Sequence, residues 1–233
     1  MSGDSGSSRV ARLRSPEAQA WWEYGGPFVL FGVLTMLEGY VPIRWYPVVY
    51  AVKVFAVTAS LVWAGAAARD ITPSSRGLAT SVLIGLAVCA AWVIVDTWVP
   101  YPHLGARVGF NPFASLTHPS WAAGVFLAVR FYGLTLVVPV MEELFMRSFL
   151  LRYFTNPDVR EVPIGAFSTG AFWIVAALSA LSHPEWLVAI IASAVYALLL
   201  KRTRSLFHAV VAHATTNAAL GIYVVLTGNW KFW

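Results

Sequence analysis

The chain has 233 residues, of which 58% are hydrophobic, 15% aromatic and only 12% charged. Soluble domains carry roughly a quarter charged residues, so a water-soluble fold, a disordered chain and a coiled coil are excluded, and the lone Cys89 excludes an intrachain disulfide scaffold. The net charge of +5 sits in short loops between apolar runs, a pattern that reads as membrane orientation and not as nucleic-acid binding.

In chain order, residues 1–20 form a polar tail with Arg9, Arg12 and Arg14 and no small-residue cleavage site, so an uncleaved cytoplasmic tail is expected. Residues 21–110 hold the first apolar runs: 27–40, which is short; 46–68, with Lys53; and 78–99, with Asp96. Lys53, Asp96 and Glu38 lie near run ends and are expected to snorkel. Residues 111–233 hold runs 121–153, 164–182, 186–200 and 206–226. A span needs about 20 mainly apolar residues. The run 121–153 is too long for one plain span at about 1.5 Å per residue, so a broken or interfacial part around 111–128 is expected before a true span near 130–152. The predicted fold is an all-α polytopic membrane protein with about seven to eight transmembrane helices around a polar intramembrane cavity. Basic loops at 69–76, 152–160 and 201–204 put the N-terminus in the cytoplasm and the C-terminus outside.

The chemistry concentrates in Pro139-Val-Met-Glu-Glu-Leu-Phe-Met-Arg147. A charge at the bilayer centre costs about 2.5–3.5 kcal/mol on the lenient scale, and this span carries Glu142, Glu143 and Arg147 together. Glu143 and Arg147 have the i, i+4 order that suits a helical ion pair. Glu142 points well away from them and is left as a candidate general base. His183 closes an apolar run before Pro184, and His213 precedes Asn217 by one helical turn. That last pair lies on one helix face and serves either as oxyanion donors or as an interhelical polar clamp. Ser179 and Ser182 read as packing residues. His103, His118 and His208 have no partner at helical spacing. No nucleophile elbow and no zinc-peptidase motif is present. Glu142, His183 and His213 could alternatively form a two-histidine, one-carboxylate metal set.

Glu142-Glu143-x-x-x-Arg147, a later helix ending in His183, and His213-x-x-x-Asn217 resemble the three-motif signature of the CAAX protease and bacteriocin-processing family of glutamic-type intramembrane proteases. One departure is Ser179, which stands where the second motif usually has Phe. Residues 138–153, His183-Pro-Glu-Trp186, 201–205 and the ending 221–233 resemble a bacterial subgroup, the CAAX prenyl protease-related proteins found with exosortase sorting systems. The resemblance implies an endopeptidase of the bacterial inner membrane that needs no metal or other cofactor. Its substrate would be a membrane-anchored or C-terminally tailed protein, and an exosortase-like protein its partner. Glu142 and His183 would activate water, His213 and Asn217 would stabilise the oxyanion, and Glu143 and Arg147 would orient the site. The competing readings are a non-catalytic accessory or scaffold protein and a proton-relaying transporter, since buried acids and histidines also suit a relay.

Overall fold

The computed structural model describes residues 16–105 and 109–233, and every regular element among them is helical. Arg9, Arg12, Arg14 and Arg107 lie outside the described residues. Helix α1 covers 16–38 with a π turn at Trp21–Gly25. It is followed by α2 (Ile43–Ala64), a short α3 (Ala66–Asp70) and α4 (Leu78–Trp98). A short α5 (Pro112–Ser115) is capped by Asn111, whose Oδ1 accepts from the amides of Phe113 and Ala114. The second half contains α6 (Ala122–Tyr153), α7 (Thr169–Leu181), α8 (Trp186–Thr203) and α9 (Leu206–Thr227), then a 3-10 turn at Trp230–Phe232.

Five of these helices, α2, α4, α6, α8 and α9, are long and apolar enough to cross a membrane. Their outward faces carry bare apolar side chains: Val62, Trp98 and Leu226 are exposed, and Trp63 is 86% exposed. Water would not tolerate so many, and lipid does. The protein is therefore a multi-pass membrane protein. Two runs read as spans in the sequence fall outside the five: α7 has 13 residues, and so does the Gly26–Glu38 part of α1.

The run 121–153 departs from expectation. It is one helix of 32 residues, with its break before it, between Ser115 and Ala122. Residues 122–128 contain no proline, and the one glycine, Gly124, costs only about 1 kcal/mol, too little to interrupt them. At about 1.5 Å per residue the helix is ~48 Å long, well beyond the ~30 Å hydrocarbon core. It is not a plain α-helix. Two π-helical stretches, Gly133–Val137 and Glu143–Leu150, flank a short α segment that contains Pro139.

Small residues bring the helices close. A Cβ on Gly85 would lie 2.4 Å from the Ala212 carbonyl oxygen, so α4 and α9 touch backbone to backbone. Thr216 adds a hydroxyl that donates to the Gly85 carbonyl at 2.8 Å. A Cβ on Gly133 would sit 2.4 Å from the Tyr50 hydroxyl, which lets α2 lie against the first π stretch of α6. One apolar core joins α1, the C-terminal half of α6, α7 and α8; a second joins α4, α8, α9 and the final turn.

Four polar residues have partners that their sequence reading lacked. Lys53 does not snorkel: it is buried and paired with Glu38, which does not snorkel either. Asp96 accepts from His103 at 2.7 Å, Tyr101 at 3.2 Å and Lys231 at 2.8 Å, which ties the following loop and the final turn to the end of α4. His208 is buried against Ser81, Nδ1 to Oγ 2.9 Å. Spacing along one helix could not reveal these partners, because each contact is between segments distant in sequence or in a loop.

Candidate active site

A cavity of about 460 Å³ opens among α1, α2, α4, α6, α7, α8 and α9, and Glu142, Arg147, His183, His213 and Asn217 all line it. Glu143 lies behind that wall, fully buried.

The second π stretch begins at Glu143, one residue after Glu142. A π turn inserts an extra residue and so changes the angle between successive side chains; such turns recur at functional sites. Here Glu142 faces the cavity while Glu143 turns toward α9. Glu143 Oε1 accepts from His213 Nδ1 at 2.9 Å. Arg147 Nε stands 3.3 Å from Glu143 Oε2, an ion pair not aligned as a hydrogen bond. The expected Glu143–Arg147 pair is therefore present, and Glu143 has a second partner that helical spacing did not show. The other imidazole nitrogen, Nε2, lies 3.9 Å from Glu142 Oε2. That is too long for a direct hydrogen bond. With Nδ1–H committed to Glu143, Nε2 is the nitrogen that meets the cavity.

Tyr196 of α8 completes the wall and was missed in the sequence, where it sits unremarked in an apolar run. Its ring stacks on His213, centroids 5.2 Å apart at 19°, and the Arg147 guanidinium lies 5.6 Å from the ring centroid on α8. Its hydroxyl donates to Thr216 Oγ1 at 2.7 Å. The imidazole is thus fixed by a carboxylate at one edge and a ring at one face.

Asn217 has a use that only the backbone explains. Val138 N–H bonds to the Gly133 carbonyl, in π register. The next residue, Pro139, has no N–H. The Leu134 carbonyl is thereby deprived of its helical donor, and Asn217 Nδ2 donates to it at 2.9 Å. The clamp reading of Asn217 is therefore observed. One further amide N–H and the side-chain oxygen are left over.

His183 is held at the end of α7, its Nδ1 2.9 Å from the Ser179 carbonyl and 3.0 Å from Ser182 Oγ. Trp92 packs edge-on at 5.7 Å. Ser182 also donates to the Ser179 carbonyl at 2.7 Å, so this serine pair orients the histidine. Among the described residues His183 makes no hydrogen bond to Glu142. Nor do any three His, Cys, Asp or Glu among them converge as a metal-binding group. Glu142 and His213 approach each other, while His183 is turned to its own helix.

Residues 120–219 match the family model of the type II CAAX prenyl endopeptidase Rce1-like proteins. The match begins just before α6, ends within α9, and contains all six residues singled out from the sequence. It supports the resemblance to the CAAX protease and bacteriocin-processing family, and with it a peptide-hydrolysing activity. No curated protein matches the chain, and no solved structure does.

Proposed function

We propose that this protein is a glutamic-type intramembrane endopeptidase that hydrolyses a peptide bond near the C-terminus of a membrane-held protein. The observation that carries this reading is the chain Glu142···His213–Glu143 in a cavity wall, with Asn217 one turn further along α9. A carboxylate facing a cavity in the membrane, beside an imidazole whose other nitrogen is held by a second carboxylate, is a general base with a fixed proton partner.

In this mechanism Glu142 takes a proton from a water molecule. The water oxygen attacks the scissile carbonyl carbon, and the carbonyl π pair moves to oxygen. Both ring nitrogens of His213 carry hydrogen while the oxyanion forms: Nδ1–H serves Glu143 and Nε2–H serves the developing oxyanion. The free amide N–H of Asn217 is the second donor. The proton on Glu142 then passes to the leaving amine as the C–N bond breaks. His183, held by Ser179 and Ser182, lines the same cavity and is assigned to holding the water. The reaction is worth about 10²–10⁴ from the base and about 10²–10³ from each oxyanion donor.

The same reading places the protein in the bacterial inner membrane with a cytoplasmic N-terminus and a periplasmic C-terminus, within an exosortase-like sorting system. In it α1 and α7 bring the five long helices to about seven. The test is incubation of the purified protein in detergent with membrane-tailed reporter proteins, followed by mass spectrometry of both fragments. Two new termini at one internal bond near the C-terminus are expected. Intact reporters after many hours would count against the proposal, and cleavage from the chain end one residue at a time would replace it with an exopeptidase.

A further inference from the structure

The cavity has a second charged end. Arg130 lies on α6, 12 residues before Glu142, and is buried, only 9% exposed. Its guanidinium lies 4.6 Å from the centroid of the Tyr50 ring and 5.5 Å from that of Trp233, and one terminal nitrogen donates to the Tyr46 hydroxyl at 2.8 Å. Its Nε, also buried, has no hydrogen-bond partner. Among the described residues no carboxylate pairs with it. Among the described residues the acids that line this cavity are Glu38 and Glu142, and Glu38 is committed to Lys53. Arg130, Lys53 and Glu38 therefore sum to +1, while the Glu142 end carries the acids.

A buried guanidinium without an anion is costly in an apolar surrounding. Aromatic faces offset part of that cost, and a hydroxyl gives one hydrogen bond. The fork of a guanidinium is matched best by a planar carboxylate. One carboxylate neutralises a net charge of +1; a phosphate dianion would overshoot it. Since Arg130 and Glu142 line one cavity, a single bound molecule can reach both.

We infer that Arg130, supported by Tyr46 and Tyr50, is a carboxylate-binding subsite for the substrate, set at a fixed distance from the bond that Glu142 addresses. The inference rests on the endopeptidase reading for the identity of the ligand as a peptide. Twelve residues of helix rise about 18 Å, which an extended peptide covers in about five residues. The carboxylate is thus about five residues from the scissile bond. It comes either from the free C-terminus of the substrate or from an acidic side chain at that position.

The experiment measures binding, not turnover. N-terminally fluorescent apolar hexapeptides are titrated against the Glu142→Gln protein in micelles, as the free acid, as the C-terminal amide, and as the amide with Asp in last position. The free acid is expected to bind about tenfold more tightly than the amide, a charge-assisted hydrogen bond gained. Arg130→Gln is expected to erase that difference and Arg130→Lys to keep part of it. Recovery of affinity by the Asp amide assigns the subsite to any carboxylate at that distance, and no recovery assigns it to the terminal one. Equal binding of acid and amide to protein that retains Arg130 overturns the inference without any variant having to fold, as does failure of every peptide to bind. Acid-selective binding with no cleavage by the wild-type protein would retract the peptidase reading and leave the subsite standing.

Discussion

Helix α6 carries two buried ionic clusters one turn apart, and they differ in how completely they are satisfied. At the C-terminal end, Asp70 Oδ2 accepts from Tyr24 at 2.7 Å, from Arg152 at 3.0 Å and from Ser148. Arg152 in turn donates to the Ser148 carbonyl, to Ser148 Oγ at 2.7 Å and to Tyr24 at 3.3 Å. In the Glu143 cluster, Glu143 Oε2, Arg147 Nε and one terminal Arg147 nitrogen are buried without a hydrogen bond. Only this second cluster borders the cavity. Buried polar networks that are fully bonded rigidify a fold, whereas unmet bonding capacity in a native protein calls for another explanation. The first cluster is a staple between α1, α3 and α6; the second has hydrogen-bonding capacity left for a reaction.

The sharpest way to separate them is to neutralise one acid in the unsatisfied cluster. Glu143→Gln leaves Arg147 buried without its counter-charge, which costs about 3–5 kcal/mol, and it replaces the carboxylate that holds His213 Nδ1 with a neutral carboxamide, a weaker acceptor. Both the melting temperature and cleavage per folded molecule are expected to fall, as thermal unfolding in micelles and reporter cleavage would record. Arg152→Leu probes the staple. It is expected to lose about 3 kcal/mol, the low end for a broken buried pair, because Tyr24 and Ser148 continue to donate to Asp70. Cleavage per folded molecule should stay within about threefold of wild type, well inside one 1.4 kcal/mol decade. If Arg152→Leu abolished cleavage in folded protein, the division of labour between the clusters would fail.

Asn217→Ala acts on both functions at once. It removes the donor to the orphaned Leu134 carbonyl, about 1–3 kcal/mol, and an oxyanion donor worth about 10²–10³ in rate. Asn217→Asp likewise loses both donors, so the two roles are separated by the readouts: equal loss of rate with normal stability would show that the clamp is dispensable. Tyr196→Phe is the mildest change. The ring still stacks on His213 and only the bond to Thr216 is lost, about 0.5–1.5 kcal/mol. Turnover should stay close to wild type, while Tyr196→Ala should lower it by freeing the imidazole.

The acids, both histidines and Asn217 were legible in the sequence because charge in an apolar run is conspicuous and because i, i+4 spacing fixes a common face. The all-helical, multi-pass character followed from composition. What spacing within one helix cannot show is a partner on another helix. The Glu143–His213 bond, the Lys53–Glu38 pair and the Asp70–Arg152 staple each join residues far apart in sequence. The π register of α6 was also hidden, since no residue type encodes it alone. With Pro139 it creates the free carbonyl that Asn217 holds, whereas the divergence of Glu142 from Glu143 was expected from helical spacing alone. Arg130 is a single charge in a long apolar run, and its surroundings became visible only where α2 and the final turn pack around it.

The most direct test of the account is the cleavage rate of Glu142→Gln, normalised to folded protein in the membrane. The carboxamide is nearly isosteric and Glu142 faces the cavity, so the melting temperature should match wild type while cleavage falls by about 10²–10⁴, the contribution of a general base. Wild-type cleavage by a stably folded Glu142→Gln protein would contradict the account.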